Sequence, residues 1–155
     1  MYLREMHICY GPSRRRDGDE RPFVRTTHDA VRLLEPLLES ETVEVALMLC
    51  LNIRLEALCF HRVSRGALDH TSIHPREVFK AALLANAAAV ILSHNHPSGN
   101  ATPSPADLSL VKNLDAAGRL LQVPVVDHII IGHQRRYWSS KEAGLTAPWP
   151  EPWSL

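Results

Sequence analysis

No disulfide framework can be built from this sequence. Its three cysteines, Cys9, Cys50 and Cys59, are an odd number, and none stands in a CxxC pair. Sparse thiols of this kind fit a reducing compartment. Cys50 and Cys59, set in apolar runs, read as small buried side chains. An excess of charge of either sign is also missing. Lys and Arg number 17, as do Asp and Glu, so the formal net charge is zero. That excludes a global attraction to nucleic acid or acidic membranes and leaves only local patches. No apolar run approaches the ~18–20 residues of a membrane span. The opening stretch "MYLREMHICYGPSRRR" lacks an apolar core followed by a small-residue cleavage site. Internal repeats and low-complexity tracts are absent too. A cytoplasmic protein with no membrane partner is the expectation.

What is present is enough for one domain. The chain has 155 residues, and 45% of them are hydrophobic. Residues 1–25, with the charged "RRRDGDER", read as a solvated N-terminal arm. "TTHDAVRLLEPLLES" has a cap at Thr26 or Thr27 and leucines at helical spacing, with a kink or split expected at Pro36. "TVEVALMLCLN" is an apolar run of strand length, as befits a strand buried on both faces. "LEALCFHRVS" predicts a second strand, joined to the first by a short connection at Asn52-Ile53-Arg54, and "ALDHTSIH" a weaker third. Pro75 opens a helix that "REVFKAALLANAAA" continues. "AVILSH" is a short strand. Ser104, Pro105 and Asp107 give the next helix an N-cap, a first-position proline and an acidic first turn. "VPVVDHIIIG" predicts a buried strand with which "RRYWS" pairs. Residues 146–155 form a tail rich in proline and tryptophan. The pattern is a mixed sheet with helices packed on it, an α/β or α+β sandwich.

Nine histidines are the surplus that calls for chemistry, because His is both the commonest metal ligand and the usual proton shuttle. Two of them lie in "SHNHPSGNATPSPAD". His94 and His96 end a predicted strand, where residues two apart point to one face, so their imidazoles can converge on a single ion. Asp107 follows eleven residues after His96, in the first turn of the next helix. A loop broken by Pro97, Gly99 and Pro103 can fold that turn back beside the strand end. Two imidazoles and a carboxylate make a three-ligand set for Zn2+ with a fourth position open to water. Bound zinc brings the pKa of water to roughly 7 and polarises an attacked carbonyl. On the residues alone, a packing or surface role for the histidine pair stays open. Ser104 has two readings that one hydroxyl can satisfy, a helix N-cap and a hydrogen-bond donor to a developing oxyanion.

The arrangement His94-x-His96, seven residues, then Ser104-x-x-Asp107 has no gaps and resembles the JAMM/MPN+ metalloprotease motif. More narrowly, "SIHPREVFKAALLANAAAVILSHNHPSG" and "VVDHIIIG" resemble the RadC family of bacterial JAB-domain proteins. The similarity runs over roughly Thr42 to Leu145. It implies a cytidine-deaminase-like JAB/MPN fold for a domain spanning 26–145. It also implies a zinc-dependent metallopeptidase or isopeptidase acting on a protein or peptide. His94, His96 and Asp107 would be the metal ligands, with Ser104 catalytic. The family further requires an upstream glutamate as general base, and the matching position is Glu44. A carboxylate beside an apolar strand is costly to bury without a purpose, and burial would raise its pKa toward a base's working range. The alternative is a strand-edge glutamate facing water.

His128 and its neighbour Asp127 lie inside a buried strand, either as hydrogen-bonded core groups or as groups behind the zinc site. The family's repair name keeps DNA open as a partner, with a metal-dependent DNA-binding protein or nuclease as the alternative function. Arg14 to Arg16 and the Arg135-Arg136 pair are candidate phosphate contacts. A homodimer also stays open. Full-length RadC proteins carry an N-terminal helix-hairpin-helix region for which this chain has no room, so it resembles the short stand-alone members.

Overall fold

A computed structural model describes residues 20–66 and 73–146. Within them a five-stranded sheet has the order β2-β1-β3-β4-β5. Its strands are β1 (Val45–Leu51), β2 (Ala57–Arg65), β3 (Ala89–Asn95), β4 (Val125–Ile131) and β5 (Tyr137–Ser139). Strand β1 runs antiparallel to both β2 and β3, the central β3 is parallel to β4, and β5 returns antiparallel to β4. Three helices complete the fold: α1 (Thr27–Leu38), α2 (Pro75–Leu84) and α3 (Pro105–Leu121). No helix of the described residues is long and apolar enough to cross a membrane.

The apolar runs are strands because both faces of the sheet are covered. Leu47, Leu49 and Leu51 of β1 pack with Ala30, Leu34 and Leu38 of α1. The alternate residues Ala46, Met48 and Cys50 pack with Val78, Phe79 and Ala82 of α2 and Leu114 of α3. A period of two along the strand thus feeds two separate cores. Helix α1 begins with a reciprocal capping box between Thr26 and Asp29 and is not split at Pro36. That proline falls in the last turn, where its missing N–H costs a single intrahelical bond.

Helix α2 stops earlier than its alanine-rich sequence suggests. Ala85 caps it, Asn86 turns into the left-handed region at φ 51°, and Ala89 already belongs to β3. Asparagine tolerates that conformation better than most residues, so it ends the helix despite the good helix formers around it. The weak strand candidate at 67–74 lies mostly outside the described residues, and Ile73 and His74 are irregular backbone before α2. The β1–β2 turn is held by Asn52, whose Oδ1 accepts from the Arg54 and Glu56 amides at 2.9 and 3.0 Å. Cys50 and Cys59 face each other across β1 and β2 as free thiols, the first buried and the second half-buried.

The topology places the C-terminal end of β3 beside two other chain segments. One is the entry to β1. The other is the N-terminus of α3, reached through the loop 96–104.

Candidate metal centre

Helix α3 starts where it does because Ser104 and Asp107 cap it reciprocally. The Ser104 Oγ accepts from the Asp107 amide at 3.2 Å, and the Asp107 Oδ2 accepts from the Ser104 amide at 2.7 Å. This fixes the carboxylate at the helix's first turn, facing the end of β3. Pro105 suits the first helical position, since its missing N–H would have had no intrahelical partner there.

His94 and His96 lie two apart, at and just past the end of β3, and their rings turn to the same side. The His94 Nε2 is 3.0 Å from the His96 Nε2, 3.3 Å from the Asp107 Oδ1, and the His96 Nε2 is 3.6 Å from the Asp107 Oδ2. These three residues form a group able to hold a metal ion. With ligand bonds of about 2.0–2.1 Å, a tetrahedral ion separates its donors by about 3.3–3.4 Å. The observed separations bracket that value.

The outer ring nitrogens agree with this assignment. The His96 Nδ1 lies 2.7 Å from the Asn100 carbonyl oxygen, which can only accept, so the His96 proton sits there. The His94 Nδ1 lies 2.9 Å from the His128 Nε2. With the His94 proton on Nδ1, both inner Nε2 lone pairs face one point, as ligation demands. The donor set therefore fits a divalent transition-type ion.

The electrostatics follow from the crowding. Burial pushes the Asp107 carboxyl up, but hydrogen bonds from His94, His96 and Ser104 outweigh it and hold the group well below the usual carboxylate range. The bond to Asp107 raises the His96 imidazole above its ordinary value against the opposing effect of burial. The Asn100 carbonyl and the charges of Asp107 and Glu44 add to that rise. His128 is fully buried, and burial together with the neighbouring His94 lowers it to about 3.

The other sequence candidates divide by face. His128 sits diagonally from His94, since Leu92 pairs with His128 and His94 with Ile130. Its side chain is on the metal-site face and touches His94 directly. Asp127 is one residue away and points to the other side of the sheet, so it is not a group behind the metal site. Its carboxylate accepts from the Thr27 hydroxyl at 2.9 Å, the Ser139 hydroxyl at 2.8 Å and the Lys141 amide at 3.2 Å. It ties α1 and the 139–141 turn to β4.

Glu44 lies one residue before β1 and is half-buried, not enclosed within the strand. It lines a cleft of about 780 Å3 together with His96, Ser104 and Asp107. Ser104 lines the same cleft, and its hydroxyl donates to the Asp107 Oδ2 at 2.6 Å. In this arrangement the hydroxyl proton serves the Asp107 carboxylate. His74, at the N-terminal boundary of α2, makes no side-chain cap and also borders the cleft. A residue that sequence reasoning passed over is Asn95, between the two histidines. Its side chain bonds the backbone around Glu44. An amide among buried strand residues was the only signal of it.

The sequence matches a family model described as the RadC-like JAB domain over residues 24–145. Among curated relatives, a UPF0758 protein of Desulforudis audaxviator is 42% identical over 130 residues, covering 84% of this chain and 56% of the relative. A UPF0758 protein of Methanosarcina barkeri is 41% identical, covering 79% of this chain and 53% of its own length. One from Pseudomonas fluorescens is 50% identical over 99 residues, or 64% of this chain and 44% of the relative. The chain thus spans about half the length of the curated relatives it matches. Its mixed five-stranded sheet and three helices accord with the JAB/MPN architecture. On the extent of the family match, this chain belongs to the RadC-like JAB domain family.

Proposed function

We propose that this domain is a zinc-dependent hydrolase of amide bonds, a peptidase or isopeptidase, with Glu44 as its general base. The observation that carries the reading is the convergence of three donor atoms on one point, with a second carboxylate, Glu44, lining the same cleft. His94, His96 and Asp107 would hold the ion, which when bound would make water acidic enough to attack near neutral pH and would polarise the carbonyl. The Glu44 carboxylate accepts the proton of the attacking water and returns it to the leaving amine. A hydroxyl turns freely about its C–O bond. Ser104 can therefore redirect the proton it gives Asp107 toward the developing oxyanion.

The lining of the cleft favours a peptide over a polyanion. Among the described residues it holds Glu44 and Asp107 but no Lys or Arg. Neutralising phosphates is the dominant source of affinity for nucleic acid, and this surface supplies the wrong sign. Ile73, Pro97 and Leu110 offer apolar contact, and Ser98, Ser109 and Asn113 offer hydrogen bonds to a main chain.

The test is a substrate screen of the zinc-loaded protein. It uses quenched-fluorescent peptides, lysine isopeptide conjugates and labelled single- and double-stranded DNA, beside Glu44→Gln. Amide cleavage should appear in the wild type and fall by about 10²–10⁴ in the variant, with the DNA intact. DNA cleavage that depends on Glu44, with every amide untouched, would overturn the proposal.

A further inference from the structure

The tripeptide His94-Asn95-His96 sends its side chains alternately to the two faces of the sheet end. The histidines take the metal-site face. Asn95 takes the opposite one, where it is only 5% exposed. Its Oδ1 accepts from the Val45 amide at 2.7 Å, and its Nδ2 donates to the Val43 carbonyl at 3.0 Å and the Glu41 carbonyl at 3.4 Å. Main-chain pairing between β1 and β3 ends at Ala46 and His94. One step further the Asn95 amide group takes over, offering the acceptor and donors a partner peptide would have offered.

The segment so held is the one that carries Glu44. Val43 and Val45 flank it on either side, and its own carbonyl accepts from the Gly66 amide at 2.9 Å. Glu41, three residues back, is ion-paired to Arg62 and Arg65 of β2 at 3.0 and 3.2 Å. The peptide groups on both sides of Glu44 are therefore tied, and beyond the last main-chain pair of β1 and β3 the tie toward His94 and His96 runs through the Asn95 side chain.

We propose that Asn95 is a positioning residue for Glu44. Lying between two metal ligands, it fixes the distance between the base and the ion through a single tripeptide. This rests on the reading of Glu44 as the general base. An amide is required because the site needs an acceptor and donors together. Aspartate would set a second acceptor against the carbonyls of Val43 and Glu41, and alanine would leave Val45, Val43 and Glu41 without their partner.

The full chain is tested as Asn95→Ala, with Asn95→Ser as a milder second variant, each alone and combined with Glu44→Gln. Substrate is the fastest-cleaved member of the peptide and isopeptide set. Misplacement of a catalytic group by about 1 Å costs about 100-fold in rate, so kcat should fall by about that factor with KM within about 2-fold. Zinc affinity, read by chelator competition, should stay near wild type, and amide exchange should accelerate at Val45 but not at Met48 or Leu49. In the Glu44→Gln background the Asn95 substitutions should cost little more, because the two residues act as one unit.

Losses that multiply in the double variants, or wild-type kcat in Asn95→Ala, overturn the positioning role while the base reading stands. Full activity of Glu44→Gln alone would instead remove the base reading.

Discussion

Replacing His128 with leucine tests whether the second layer of the site does what its geometry implies. Once the His94 Nε2 is reserved for metal, its proton sits on Nδ1 and is donated to the His128 Nε2 at 2.9 Å. His128 must then carry its own proton on Nδ1, which is buried with no hydrogen-bond partner among the described residues. A buried orphan N–H costs about 1–3 kcal/mol. His128→Leu removes that orphan and leaves the His94 Nδ1, in either tautomer, without its partner, so the two penalties nearly cancel. What is lost is one hydrogen bond, about 0.5–1.5 kcal/mol net. Apo stability should therefore fall by no more than about 1.5 kcal/mol.

Metal binding should suffer more. Without its acceptor, His94 prefers the other tautomer, with the proton on Nε2 and directed at Asp107, and that form cannot ligate through Nε2. Loss of such outer partners costs about 10–100-fold in affinity, equivalent to about 1.4–2.7 kcal/mol. The assay is competition for Zn2+ against a chromophoric chelator, paired with denaturant melts of the apo proteins. His128→Gln, whose carbonyl can accept from His94, should recover part of the loss. Unchanged zinc affinity in a folded His128→Leu protein would refute the reasoning.

Other outcomes follow from the same contacts. Ser104→Ala removes the α3 cap and one bond to Asp107. It should cost about 1 kcal/mol of stability and weaken zinc binding, as the same melts and chelator competition will show. Gly132→Ala places a Cβ 2.5 Å from the Gly99 carbonyl oxygen, in the loop that also carries Asn100, the partner of His96. It should destabilise by about 1–3 kcal/mol and lower metal affinity, and an unaltered melt would show that the loop yields freely.

The thermal melt should also respond to pH differently in the two forms. Without metal, the raised His96 stabilises fully below the ordinary imidazole value of about 6.5. That stability is lost as pH rises through the higher folded value. The depressed Asp107 contributes above the ordinary carboxylate value and loses its contribution only as pH falls toward its lower folded one. With saturating Zn2+ the decline due to His96 should vanish: ligation needs neutral imidazoles, so the melt should rise as pH climbs through about 6.5 and then level off. Parallel slopes in the two forms would contradict the assignment of His96 as a ligand.

The convergence of His94, His96 and Asp107 could be read from the sequence because it is local. His94 and His96 share a strand parity, and the Ser104–Asp107 cap announces its own helix start. The two-faced burial of β1 was likewise visible as an unbroken apolar run. What lay beyond the sequence was register. Whether His128 or Asp127 meets His94 depends on how β4 slides against β3, and a one-residue slip would exchange their faces. The position of Glu44 depends in the same way on where β1 begins, which Asn95 fixes from a neighbouring strand. The short α2 shows the competition most simply. Good helix formers continue past Leu84, but Asn86 and the entry into a buried strand end the helix there.

Every role proposed for the cleft depends on one ion held by His94, His96 and Asp107. Zinc titration of the metal-free protein by calorimetry, beside the near-isosteric Asp107→Asn, measures this directly. One equivalent bound by the wild type and none at comparable affinity by the variant is the predicted result. Equal stoichiometry and affinity in both would contradict it.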